Sequence, residues 1–208
     1  MSTATMLPPG LEGDLVEVES GGSGDWMTFE KRKWYTNALI FDPSGLKVLL
    51  GLKKRGMGIG LYNGFGGKLE LGETAAEAAA RELKEEAGID APLEHCGSLL
   101  FVTEDEALGI QIELYRASSY NGDIAESDEM IPQWFATTDL TAGITPTGDD
   151  ALPAIPYEQM YQETKIWVPL ILSGKHIVGR IDFVPNASVE RKYDMRRWWF
   201  GVPSASQS

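Results

Sequence analysis

Cysteine is almost missing from this chain of 208 residues: Cys96 stands alone, so no intramolecular disulfide can form. Histidine is equally scarce, and one thiol with His95 and His176 leaves no ligand set for a structural zinc. Basic side chains are too few to track a nucleic-acid backbone, since 18 Lys and Arg stand against 31 Asp and Glu, a formal net charge of -13. A small anionic ligand remains admissible where metal ions or a local basic patch screen the repulsion. No apolar run reaches the roughly 20 residues of a membrane span, and MSTATMLPPGLEG lacks the charged-then-apolar plan of a secretory leader. These absences predict an intracellular protein, cytoplasmic and nuclear compartments both being suitable, with neither membrane nor nucleic-acid polymer as partner.

What is present is organised around one long glycine-rich segment. Residues 1–33 read as a flexible extension ending in ESGGSGD and its flank, 34–200 as a single folded domain, and 201–208, GVPSASQS, as a frayed tail. WYTNALIF and LKVLLGL, joined by DPSG, predict a hairpin. Six glycines between Gly56 and Gly67 then punctuate the chain too often for a regular element, so this stretch is a loop. Thr74 and Glu77 form a capping box and Gly88 a left-handed stop, which predicts a helix over 75–87. GSLLFVT, IQIELYRA and IPQWFAT read as strands, and 139–156 as an extended loop carrying Asp149 and Asp150. YEQMYQETKIWVPLIL predicts a second helix bent or ended by Pro169, and HIVGRIDFV and RKYDMRRW two last strands. The fold class expected is α+β, a mixed β-sheet sandwiched between helices.

The first helix carries more charge than stability requires. From Gly67 the chain reads G-x5-E-x7-R-E-U-x-E-E-x-G-U, with U apolar, fixing Glu73, Arg81, Glu82, Glu85, Glu86 and Gly88. At ordinary residue frequencies this register would arise by chance about once in ten million such chains. Glu82 and Glu86 lie one turn apart on the same helical face with Glu85 beside them, and like charges at that spacing repel. A divalent cation reverses the sign, because Mg²⁺ takes hard oxygen ligands and bridges one or two carboxylates to substrate phosphates. Arg81, with Glu85 one turn ahead, is placed to orient the carboxylates. The surrounding glycines let backbone groups approach a phosphate or a metal where a Cβ would intrude.

This register resembles the Nudix box, and the family it implies is the Nudix hydrolases, which cleave a diphosphate linked to another moiety. LKVLLGLKKRGMGIGLYNGFGGKLELGE, ESDEM with Trp134 and Phe135, and W-x-P-L from Trp167 are similar to the animal MutT-type members that remove oxidised purine nucleoside triphosphates, 8-oxo-dGTP and 2-hydroxy-dATP, from the nucleotide pool. The likeness runs over about residues 34–200. It implies the same fold, a Mg²⁺ (or Mn²⁺) cofactor, a small nucleotide as the partner of a monomer, and a role in avoiding DNA damage. Glu82, Glu85, Glu86 and Arg81 would be catalytic, and Gly66, Glu82, Glu85, Glu86 and Glu129 would serve the metal. Thr36, Lys53, Asn63, Phe65, Gly66, Gly67 and Lys68 would meet the nucleotide, with Phe101, Met130, Tyr161, Glu163 and Thr164 at the base. The family's base reader is W-P-D-D, whereas Tyr161, Gln162, Glu163 and Thr164 stand here, so a Tyr can stack and one carboxyl is kept while the other becomes a hydroxyl. Two other readings stay open: a Nudix hydrolase of ADP-ribose, a dinucleoside polyphosphate or an inositol pyrophosphate, and a binding protein of this fold without catalysis.

Overall fold

The structure, a computed structural model, describes residues 7–104, 107–137, 152–186 and 193–204. Its strands are β1 (Leu15–Gly22), β2 (Lys31–Phe41), β3 (Lys47–Lys53), β4 (Tyr62–Asn63), β5 (Glu94–Thr103), β6 (Leu108–Ala117), β7 (Met130–Ala136), β8 (Ile177–Pro185) and β9 (Tyr193–Pro203). Helix α1 spans Ala75–Ala87, and α2 spans Thr164–Leu172. One sheet joins the strands in the order β1-β9-β8-β5-β6-β2-β3-β4, with β7 also paired to β3. The β2–β6 and β5–β8 pairs are parallel and the rest antiparallel, so the sheet is mixed.

Strand alternation sends successive side chains to opposite faces, and β2 shows how the layers form. Ile40 joins Leu49, Phe65, Leu83, Ala87 and Met130 in a buried cluster under α1. Leu39 and Phe41 turn the other way and pack with Trp167, Val168, Ile171 and Phe183 under α2. The helices therefore clamp the sheet from its two faces, as the α+β expectation required.

Helix α1 is built as its local signals predict. Thr74 accepts the Glu77 N–H, the Glu77 carboxylate accepts the Thr74 N–H, and Gly88 closes the helix at φ 76°. A left-handed residue without a Cβ satisfies the last carbonyls at no steric cost. The second helix differs from expectation. Tyr157–Gln159 form a single 3-10 turn, Met160 is extended, and α2 starts only after Glu163. Pro169 does not end it: Pro169 and Lys165 both face solvent, so water can take the carbonyl that the missing N–H leaves free.

Both ends of the chain correct the sequence expectation. Residues 15–22 are not a free lead-in but a strand along β9, and 201–203 continue β9 instead of fraying. On β8, Arg180 and Asp182 face away from α2, fully buried and paired, Nε to Oδ1 at 2.8 Å. The N-terminal segment covers them: Arg180 donates to the Pro9 and Met27 carbonyls, and the Met27 N–H donates to Asp182. Trp26 stacks over both Arg180 and Arg197. Asp149 and Asp150 lie outside the described residues. Among the described residues no helix is long and apolar enough to cross a membrane.

Candidate active site

The site forms where the glycine-rich loop returns along β2. The Thr36 N–H donates to the Gly67 carbonyl at 2.9 Å, and Phe65 and Ala38 exchange backbone hydrogen bonds. This pins residues 65–67 beside the strand and directly above α1. Ala78, Ala79, Leu83 and Ala87 bury one side of α1 against the sheet, and that rotation brings Glu82 and Glu86 to the loop. Glu86 is almost completely buried and accepts the Gly66 N–H at 2.8 Å. Gly67 lies so close to Glu82 that any Cβ there would collide with the carboxylate.

Arg81 ties the rest of the motif together. It grips Glu73 with two hydrogen bonds, at 2.8 and 3.1 Å, and also donates to Glu82 at 2.9 Å, Glu85 at 3.1 Å and the Lys68 carbonyl. Glu73, eight residues away, is thus its main partner, and the sequence expectation of Glu85 names a subsidiary one. The Glu73 carboxyl is held below its usual range, first by Arg81, and the guanidinium is raised in turn by Glu73. Glu82 moves upward because burial outweighs the pull of Arg81, with Glu85 and Glu129 adding repulsion. Burial raises the Glu86 carboxyl to about 7; the Gly66 N–H and Lys53 oppose the shift, and Glu82 and Glu129 reinforce it.

These carboxylates suit a hard divalent cation. The charge of Glu129 raises both Glu82 and Glu86, and Glu82 raises Glu86 as well; a buried carboxylate whose neighbours are like charges is stabilised by a metal ion. Among the described residues no three His, Cys, Asp or Glu groups already converge at ligating distance. Carboxylate oxygens are the hard ligands that a divalent cation prefers. Glu129 is half-exposed and paired with Arg55, and Glu85 points outward.

Of the residues expected to meet the base, Phe101 packs against the core on the α2 side of the sheet. Asn63 is half-buried and accepts from Asn37 Nδ2 at 2.9 Å. Tyr161 packs against Gly58, and burial raises its hydroxyl to about 12. Glu163 is buried at the start of α2, its carboxyl raised to about 7 by desolvation against the pull of its own backbone N–H. Phe101 meets Phe183 edge-on at 5.3 Å. Three of the expected contacts are placed elsewhere. Phe65 and Met130 are completely buried in the α1-side cluster, where both touch the space a Cβ on Gly51 would fill, so neither offers a wall to a base. Thr164 is buried with its hydroxyl donated to the Tyr161 carbonyl at 2.5 Å, which braces the helix start and commits its one donor to the backbone. Lys68 is exposed, and it is its carbonyl that meets Arg81. Asn37 and Phe183 went unnoticed in the sequence, because only the sheet brings them to Asn63 and Phe101.

The Nudix domain model matches residues 31–155, more than half of the chain and all of the loop and α1. The chain belongs to the Nudix family. Nudix relatives include a zebrafish protein, Danio rerio oxidized purine nucleoside triphosphate hydrolase, 39% identical over 164 residues that cover 78% of this chain and 94% of that one. The mouse protein of the same name, from Mus musculus, is 35% identical over 72% of this chain and 85% of its own. A crystal structure of a MutT mutator protein from Bacillus halodurans shares the Nudix fold at a TM-score of 0.58, covering 81% of this chain and 97% of that one at 23% identity. This Nudix protein is accordingly a hydrolase, of a family that generally uses divalent metal ions.

Proposed function

We propose that this Nudix hydrolase cleaves oxidised purine nucleoside triphosphates, 8-oxo-dGTP and 2-hydroxy-dATP among them, to the monophosphate and pyrophosphate with Mg²⁺. It acts as a monomer in the cytoplasm or nucleus and keeps damaged nucleotides from polymerases. The observation that carries the reading is the pairing of two buried carboxyls across β2, Glu86 at the loop and Glu163 at α2, each raised to about 7. The first is assigned to phosphate chemistry and the second to recognition of a base, and the names of the zebrafish and mouse relatives support an oxidised purine triphosphate as the substrate.

Glu82, Glu86 and the Gly66 carbonyl would hold the cation, which when bound withdraws charge from phosphate oxygens and makes water more acidic. Arg81 keeps Glu82 and Glu85 in place through Glu73. Glu85, the most exposed of the three helix carboxylates, is free to take the proton of the attacking water. Water oxygen then bonds to phosphorus of the α–β linkage, the opposite P–O bond breaks, and pyrophosphate leaves. Lys53, close enough to pull on Glu86, offsets phosphate charge at the entrance. Tyr161 stacks on the base and Glu163 meets its edge; its protonated form donates and its ionised form accepts.

The test is a substrate panel with and without Mg²⁺: 8-oxo-dGTP, 2-hydroxy-dATP, dGTP, ADP-ribose and diadenosine polyphosphates. Faster turnover of the oxidised triphosphates, requiring the metal, is expected. Equal kcat/KM for dGTP and 8-oxo-dGTP would end the sanitising role, and preference for ADP-ribose would move the protein to another branch of the chemistry.

A further inference from the structure

Four buried side-chain atoms among the described residues lack a hydrogen-bond partner: Thr36 Oγ1, Asn37 Oδ1, Trp167 Nε1 and Trp198 Nε1. Such an atom costs about 1–3 kcal/mol, and native proteins keep few of them. Thr36 turns with Ala38 and Ile40 to the α1 face of β2, and Trp167 lies in the apolar core under α2. Asn37 Oδ1 is the one of the four whose side chain adjoins Asn63, and so the one that bears on a ligand there.

Asn37 says most about that ligand. It sits on the face of β2 shared with Leu39, which packs with Trp167 beneath α2, and its side chain meets the glycine-rich loop at Asn63 and Gly64. Its Nδ2 donates to Asn63 Oδ1 at 2.9 Å while its own Oδ1 stays unpartnered. Gly64 is what admits it, since a Cβ at that position would collide with Asn37 Oδ1 and the Ala38 carbonyl. The consequence falls on Asn63. An amide whose oxygen is already accepting turns its two N–H donors away from that contact.

We propose that Asn37 is the positioning residue that sets base preference: by holding the Asn63 oxygen, it fixes Asn63 as a donor and selects purines presenting a carbonyl oxygen at C6 over those presenting an exocyclic amine there. This rests on the nucleotide reading of the site. Glu163 and Tyr161 supply polar groups from the α2 side, whereas the Asn37–Asn63 pair supplies the polarity of the loop side.

The experiment compares kcat/KM for 8-oxo-dGTP, with a carbonyl at C6, against 2-hydroxy-dATP, with an amine there, in the full chain with Mg²⁺. The wild type should favour the carbonyl substrate. Asn37→Leu, which keeps the volume and removes the donor, should shift that ratio about tenfold toward the amine substrate, the scale of one misplaced hydrogen bond in a specificity site. Asn37→Asp should shift it further, because a carboxylate accepts from Asn63 Nδ2 and turns the Asn63 oxygen outward. In an Asn63→Ala background Asn37→Leu should no longer move the ratio. Should the Leu variant not fold, Asn37→Ala gives the same reading. Loss of kcat/KM on both substrates in parallel, with a ratio within about twofold of wild type, would make Asn37 merely structural and overturn the proposal. Failure of the wild type itself to turn over any purine triphosphate would overturn the nucleotide reading, and this inference with it.

Discussion

Glu163 and Glu86 are both held near pH 7, and substituting each separates stability from function in its own way. The Glu163 carboxyl is raised to about 7 by burial, against an ordinary value of 4.5. Below about 4.5 it is protonated folded or unfolded and costs nothing; between there and 7 the unfolded chain releases the proton first, so stability falls as pH rises, by about 3 kcal/mol once both values are passed. Glu163→Gln should therefore raise the melting temperature at pH 8 and leave it nearly unchanged at pH 4.5. An equal shift at both pH values would mean that ionisation plays no part. Glu86→Gln keeps an oxygen for the Gly66 N–H and removes one of three repelling charges. The metal-free protein should melt no lower than wild type while phosphate release with Mg²⁺ falls about 100-fold or more; a drop in both would make Glu86 structural. Cys96, buried and raised to about 12, should stay unlabelled by a thiol reagent until the protein unfolds.

At the scale of elements, α1 is a rigid mount whose order comes from its ends. Thr74→Ala removes the cap and should cost about 1 kcal/mol in urea unfolding, with Thr74→Ser restoring it. Because Thr74 touches none of the site carboxylates' bonds, turnover per folded molecule should remain. Its bounds, 75–87, were readable from the chain because cap, alanines and stop are all local. The second helix was only half readable. Its apolar run is local, but its start depends on Met160 entering the core and on Gln162 donating to the Tyr193 carbonyl, 31 residues away. The same distance in sequence hid Asn37 from Asn63, 26 residues on, so the loop's partner in β2 could not be seen without the sheet.

At the scale of the molecule, the N-terminal segment completes the fold. Its strand β1 is mostly exposed and acidic, with little of the apolar alternation that marks a strand, so composition alone reads it as a free extension. Pairing with β9, some 180 residues later, gives it a place. Arg180 and Asp182 then depend on it for closure, and Asp182→Ala, which strands a buried guanidinium, should cost about 3–5 kcal/mol in denaturant unfolding. A loss below about 1 kcal/mol would show that water already reaches the pair. By itself the sequence determined the chemistry: the spacing of Gly67, Glu73, Arg81, Glu82, Glu85, Glu86 and Gly88 places carboxylates on one helix face, because helix geometry is local and repeats every 3.6 residues. Only the tertiary structure decided which groups face a ligand. Phe65 and Met130 went to the core, Thr164 to its own backbone, and Asn37 to Asn63, since which side of a strand or helix is buried depends on neighbours that the chain brings from far away.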